Sequence, residues 1–435
     1  MTDTPPSPVR LNFGHAPETH RFWRGLAREA LALAPAPFYL FAADPVAGHV
    51  AELEAELTAA GFRTATANPR SPVGFRHWLS FKTQPVRPLL TWWRDQGRPV
   101  EVVSEFELRA ALAAGFSPAN ILVNGPAKHH WLPAFELPGL SVHIDSAAEI
   151  SALLPPAKKW DWRLGVRLLT SGEFDPENPA YPTQFGLAPD EAGAVLRRLQ
   201  RARVRLETVH FHLRTNVAAV RMYEAAIAEV AAVCRSAGFR PRHLDIGGGL
   251  PMRRVLSRGG KVHDGEFGLR SFARMLRQSA KAFPDLRELW LENGRFLTAN
   301  SGALVVKILD VKERRGVRQL ICNGGRTLHA LASLWEQHAL LPLPARAGPE
   351  TLTVVHGPTC MAFDQLARIP LPRRLQAGDH LLWLDAGAYQ LAWETQFSHG
   401  RAAVVWHDER GLRLARSAQT FGDWWGQWES QELGT

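Results

Sequence analysis

The feature that most constrains this chain is a beat of strand-like and helix-like segments that runs from residue 37 to residue 298 and then stops. Strand-like runs occur at Pro37–Ala42 (PFYLFA), Trp78–Thr83 (WLSFKT), Val100–Ser104 (VEVVS), Asn120–Gly125 (NILVNG) and Ser141–Ser146 (SVHIDS), and continue through RLGVRLL, ETVHFHL, HLDIGGG and ELWLENG. Helix-like segments separate them, among them His49–Ala60, Val86–Gln96 and Glu105–Ala114. Further on, Tyr223, Ile227, Val230 and Cys234 recur at helical spacing and predict one buried face. Repeated β-α units of about thirty residues imply parallel strands with right-handed crossovers. About eight of them fit the interval, which predicts a closed (β/α)8 barrel over residues 37–298. Past residue 300 the helices disappear and ALVVKILDVKE, RQLICNG, LTVVHG, HLLWLDAG and AAVVWHDE read as strands between Gly/Pro turns, an all-β domain over residues 299–435. Residues 1–36 are an N-terminal extension that either stands apart or joins the β domain.

Composition narrows the function classes. A chain of 435 residues, 46% hydrophobic and 21% charged, is globular rather than disordered, and too long for one core. Net charge is 51 − 42 = +9, with 43 of the basic residues arginine, but they are scattered among Asp and Glu. No basic stripe or reader motif marks a nucleic-acid footprint. Cys234, Cys322 and Cys360 are far apart and odd in number, which suits a reducing compartment and predicts no disulfide framework. Met1–Asn12 is polar and Pro-rich, unlike a signal peptide, and no apolar run approaches the roughly 20 residues of a membrane span. The expectation is a cytoplasmic protein with no membrane partner, ending in a loose polar tail after Trp428.

In a parallel barrel the chemistry collects at the C-terminal strand ends. Lys82 closes WLSFK in a chain of only eight lysines. It reads either as a surface lysine with a buried stem or as an amine poised to form an imine with an aldehyde cofactor. Gly247-Gly248-Gly249 is either a tight turn or an anion cradle of backbone N–H groups. Glu292 and Arg295 read as a salt bridge, or as partners of a ring nitrogen and a phosphate. His210 and His212 fall on one side of a strand; they lack a third metal ligand at local spacing, and one of them suffices to stack on a planar ring. No metal site is expected.

Taken in order, Lys82, EVVSEFEL (101–108), His212, the three glycines, Glu292-Asn293-Gly294-Arg295, GPTC (357–360) and GAY (387–389) resemble the fold-type III pyridoxal-phosphate decarboxylases, the ornithine/diaminopimelate/arginine decarboxylase family. The resemblance spans Phe38 to Phe397 and implies an alanine racemase-like barrel with a C-terminal β domain. It implies pyridoxal 5'-phosphate held by Lys82, with His212 stacked on its ring and Glu292 at its ring nitrogen. Gly247, Gly248, Gly249, Gly294, Arg295, Tyr389 and Thr215 would serve the phosphate side, and Glu101 and Arg167 would line the cofactor. It further implies that Cys360 crosses a homodimer interface to return a proton during catalysis, so that active sites are shared.

Departures from the family pattern bear on the substrate. The acid that commonly follows the cysteine is Met361, which cannot neutralise a distal ammonium. The glycine that commonly follows the stacking histidine's neighbour is Arg214, which points to an acidic distal group if it faces inward. With Phe397, these are the candidate substrate residues. The expected activity is decarboxylation of an amino acid with a non-standard distal group, either a carboxylated polyamine or a conjugate of the siderophore type. The alternatives are an amino-acid racemase on the same fold, which would place arginine where this chain has Glu292, and a catalytically inactive cofactor-binding regulator.

Overall fold

The protein is described here by a computed structural model covering residues 15–64, 71–173, 183–257, 259–330 and 335–429. The N-terminal stretch Met1–Asn12 and the tail after Glu429 lie outside the described residues. The chain forms two units, one of Ala47–Met252 with Asp264–Leu297, the other of Met1–Val46, Arg253–His263 and Thr298–Thr435.

In the first unit, Gly74–His77 and Leu79–Ser80 are two halves of one strand interrupted at Trp78. The first half pairs in parallel with Glu288–Leu291, the second with Val100–Val102. Between those neighbours the ring continues through Ile121–Val123, Ser141–Ile144, Arg163–Arg167, Leu206–His210 and His243–Asp245, all parallel. The ring is therefore a closed eight-strand barrel. Its interior is plugged by Trp78, Leu122 and Trp290, the two indoles 4.9 Å apart. His243 lies parallel to the Trp290 ring at 4.5 Å, and the Trp290 indole N–H donates to Glu288 at 2.7 Å.

The outer helices follow their sequence signals. Val220–Ala237 buries Tyr223, Ile227, Val230 and Cys234 along one face and ends at Gly238, whose φ of +62° suits a left-handed cap. Glu105–Ala113 starts at Ser104, whose hydroxyl accepts the Glu107 N–H, while the Glu107 carboxylate accepts the Val103 N–H at 2.8 Å. Among the described residues, no helix is long and apolar enough to cross a membrane.

The second unit is built on a mixed sheet in the order Gln365–Pro372, Glu350–His356, Val317–Cys322, Gly302–Arg314, Phe38–Ala42, Ala403–Asp408, Gly411–Arg416. His380–Trp383 pairs with Gly302–Arg314 and with Leu340–Leu343. The helix Pro17–Ala30 packs Trp23, Leu26 and Ala27 on this sheet, against Phe38, Val305 and Val405. Here the strand Phe38–Ala42 corrects the expectation that the barrel begins at residue 37. It runs antiparallel to Gly302–Arg314 and parallel to Ala403–Asp408, with all five residues buried. A short, uniformly apolar run carries no mark of which sheet it will join, and its partners are more than 250 residues away. Of the nine strand-like runs read before residue 298, the remaining eight make the ring.

Because Trp290 fills the ring's interior, Trp290→Ala is expected to lower the unfolding free energy by about 3–5 kcal/mol, read as a fall in urea midpoint at unchanged slope.

Candidate active site

Every strand of the ring delivers a polar side chain at or near its C-terminal end. Lys82 sits in the single 3-10 turn Phe81–Thr83 that follows Ser80. Its ammonium donates to Ser80 Oγ at 2.7 Å and to both Glu101 carboxylate oxygens at 2.9 and 3.2 Å. Glu101 also accepts the Ser80 hydroxyl proton at 2.6 Å and is only 1% exposed. The Lys82 side chain is half-buried: its head is held against a buried carboxylate and lines a cavity of about 530 Å³. Glu101, Arg167, His212, Arg214, Thr215 and Glu292 line the same cavity. The Arg167 guanidinium donates to Glu173 at 2.7 Å, lies 3.8 Å from Asp145 and stacks over Phe185 at 4.6 Å.

His212 follows the strand Leu206–His210. Its Nδ1 accepts the Gly248 N–H at 3.1 Å, which leaves Nε2 as the protonated nitrogen and fixes the ring plane. Burial, with the charges of Arg167 and Lys82, pushes its pKa down to about 3, so the imidazole is neutral. The glycine run explains itself sterically. A Cβ at Gly247 would lie 2.6 Å from His212 Nδ1, and one at Gly248 would lie 2.8 Å from the Glu292 carbonyl oxygen. Gly247 also takes a φ of +64°. Gly294 packs its backbone against Thr83, leaving no room for a Cβ, and Arg295 opens the short helix Arg295–Thr298 with a guanidinium nitrogen 3.7 Å from Met252 Sδ. Glu292 and Arg295 form no ion pair in this structure; the basic side chains within 4.0 Å of Glu292 are the imidazoles of His143 and His210.

Glu292 belongs to a buried group that local spacing could not disclose. His143, His210, Asp245 and Glu292 bring one ligand-type atom each within 4.8 Å of one another, from four different strands. Asn124 donates its amide N–H to Glu292 Oε1 and accepts from His143 Nδ1 at 3.1 Å. Burial drives both carboxyls toward the neutral form: Asp245 rises to about 7, and Glu292 is raised further by the neighbouring Asp245 and Glu101. His143 and His210 are pushed well below 6.5 by burial. The donor set is metal-like, yet ligand atoms around a tetrahedral zinc with bonds of 2.0–2.1 Å stand about 3.3 Å apart, closer than the 3.7–4.0 Å separations measured here. What the group offers as it stands is a dry, acid-rich floor that favours a cation.

Asn124, His143 and Asp245 were missed in the sequence. Each stands at or beside a strand end in a run already read as strand, so the periodicity held the signal without ranking it.

The remaining candidates lie on the second unit. Cys360 is exposed at the tip of a loop organised by Asp364, whose carboxylate accepts from Thr359 N at 3.1 Å, Thr359 Oγ1 at 2.6 Å and Arg326 N at 2.7 Å. Met361 is half-buried beside it, and Phe397 is 46% exposed. Tyr389 holds a φ of +62°, a strained conformation for a non-glycine residue.

Comparison with known proteins accounts for this arrangement. Residues 74–299 match the pyridoxal binding domain of the pyridoxal-dependent decarboxylases. Diaminopimelate decarboxylase of Actinosynnema pretiosum subsp. auranticum is 30% identical over 344 residues, 74% of this chain and 76% of that protein. The Deinococcus radiodurans enzyme of the same name is 28% identical over 355 residues, covering 80% and 88%. In fold, the chain resembles Helicobacter pylori diaminopimelate decarboxylase complexed with L-lysine, with a TM-score of 0.77 at 20% identity over 92% of this chain and 98% of that one. It also resembles Vibrio vulnificus lysine/ornithine decarboxylase complexed with cadaverine, with a TM-score of 0.73 at 20% identity over 88% and 98%.

The raised carboxyls set a pH dependence. Asp245, Glu107 and Glu173 each rise to about 7, chiefly by burial. Such a group keeps its proton in the folded state where the unfolded chain has released it. Its contribution is complete below about pH 4 and is lost as pH climbs through about 7. Between about pH 5 and about pH 8 the melting temperature of cofactor-free Asp245→Asn is expected to rise relative to that of the wild type, since the variant, whose amide oxygen still accepts the Gly247 N–H, lacks one of these losses.

A closed barrel whose strand ends gather an aimed lysine, a neutral imidazole, a glycine cradle and a buried carboxyl floor, matched over more than half its length to a pyridoxal-binding domain, is that of an enzyme: the chain belongs to the fold-type III pyridoxal-phosphate-dependent decarboxylases, of the diaminopimelate/ornithine type.

Proposed function

We propose that this enzyme removes the α-carboxylate of an amino acid whose distal end is anionic. The observation that carries the reading is the cavity in which Lys82, His212 and Glu292 meet and whose wall includes both Arg167 and Arg214. The residues fit the cofactor: a lysine at the mouth, a cradle that tolerates no Cβ, and a neutral imidazole held by a glycine N–H. When bound, pyridoxal phosphate supplies an aldehyde for amine capture and a pyridinium sink for the electrons that the departing carboxylate leaves behind.

The chain's own residues would do the rest. Glu101 and Ser80 aim the Lys82 amine and hold its proton. His212, neutral and fixed at Nδ1, offers a flat face for stacking without adding charge. Glu292 holds a proton at the ring nitrogen, since an opposite charge alongside it returns the carboxylate to its ionised form. Gly247, Gly248, Gly249, Gly294, Arg295, Thr215 and Tyr389 would take the phosphate. Cys360, in a loop braced by Asp364, would return a proton to the α-carbon, contributed across a homodimer by a second copy.

For the substrate, two features point the same way. Arg214 lines the cavity where the family commonly has glycine, and Met361 offers no charge to a distal ammonium. The relatives are named for diaminopimelate, which carries a carboxylate at its far end, and an amino acid conjugated to a polycarboxylate shares that feature. Arg214 and Met361 favour the conjugate.

Mass spectrometry of a substrate panel tests this. Loss of one carboxyl group is expected from diaminopimelate or carboxylate-bearing conjugates in preference to lysine and ornithine. Arg214→Gln should raise KM about tenfold or more with little change in kcat, as loss of a charge-assisted contact to a bound group requires. Preference for ornithine, indifferent to Arg214→Gln, would reject the anionic end. Lys82→Ala should abolish the yellow colour of the bound cofactor. Cys360→Ala should keep the colour and lose turnover; mixing the two inactive variants should restore activity if sites are shared between copies, and no recovery would reject sharing.

A further inference from the structure

Asn124 and His143 belong to none of the motifs that carry the family resemblance, yet they press on the carboxylate at the centre of the proposed chemistry. The Asn124 amide faces two ways: its N–H donates to Glu292 Oε1 and its oxygen meets His143 Nδ1 at 3.1 Å. His143 is neutral, so its one proton sits on Nδ1 to satisfy that oxygen, and the amide cannot flip without setting oxygen against carboxylate. The imidazole plane is in turn fixed. It stacks on His210 at 4.7 Å and lies parallel to Trp290 at 6.3 Å. Across the strand pair, Gly165 clears the volume the ring occupies; a Cβ there would lie 2.4 Å from His143 Cδ2.

We propose that Asn124 and His143 are positioning residues: the chain Gly165–His143–Asn124 fixes the plane of the Glu292 carboxylate and keeps it an acceptor for the cofactor's ring nitrogen. This rests on the reading of Glu292 given above. The physical need is plain. Burial, Asp245 and Glu101 all push Glu292 toward its neutral form, and a proton taken up there is one fewer acceptor for the ring. An amide N–H donated to Oε1 opposes that push, because hydrogen bonds to the ionised form favour it. His210, 3.7 Å from Oε2, and the Lys82 ammonium complete the surroundings of the group.

The test uses holoenzyme loaded with cofactor carrying nitrogen-15 in its ring, whose chemical shift reports protonation directly. Wild type and His143→Asn, which retains a donor in the place of Nδ1, are expected to show a protonated ring nitrogen. Asn124→Leu and His143→Leu are expected to move the signal toward the unprotonated position, to raise the cofactor Kd about tenfold, and to lower kcat with KM nearly unchanged. If Asn124→Leu fails to fold, His143→Leu against His143→Asn decides. A signal unmoved in the leucine variants, while Glu292→Gln moves it, would reduce the pair to packing and overturn the proposal. A signal unmoved even by Glu292→Gln would remove the role of Glu292 itself, and the proposal with it.

Discussion

Everything at this site depends on how the ring closes. The interrupted strand from Gly74 to Ser80 hands one half to Glu288–Leu291 and the other to Val100–Val102, and so makes neighbours of segments two hundred residues apart. Once closed, parallel pairing leaves no choice about where the strand ends point. Lys82, Glu101, Asn124, Arg167, His210, Asp245 and Glu292 come from separate strands or the turns just beyond them. The aromatic plug of Trp78 and Trp290 walls their end of the barrel off from the other.

That geometry creates an electrostatic problem, because ionisable groups crowd into a region with little water. Most of it is answered by pairing. Lys82 meets Glu101, Arg167 meets Glu173, and Lys128 meets Glu149 at 2.7 Å in complete burial. The exception is Asp245 with Glu292, whose neighbours are neutral imidazoles. The imbalance is the useful part. Two acids sharing a proton beneath a cavity are a standing demand for a cation, and on the function proposed above a protonated pyridine would meet it while becoming a better electron acceptor.

The legible part of this protein was whatever repeats or stands at a strand end. The β-α beat disclosed the barrel, and Lys82 and Glu292 announced themselves as charges closing apolar runs. Pro37–Ala42 misled because five consecutive buried residues look alike in any sheet, and only pairing with strands near residues 303 and 404 decides its place. Asn124 and His143 were hidden for a related reason. Their meaning lies in the hydrogen bond that Asn124, held by His143, donates across the barrel to Glu292, a partner 168 residues distant, and no local spacing encodes it.

The same contrast separates cofactor from substrate. The proposed cofactor contacts are backbone turns and short side chains on rigid strands, where one residue type is often the only one that fits, as at Gly248 and Gly294. The proposed substrate contacts fall to loop residues such as Arg214, Met361 and Phe397, where many side chains fold equally well. A charge exchanged there changes what is recognised while the barrel below is untouched. On this reading an enzyme can keep its lysine, glycine cradle and acid floor and still act on a different molecule, because the groups proposed to drive the chemistry and the groups proposed to choose the substrate sit on parts of the chain with unequal freedom to vary.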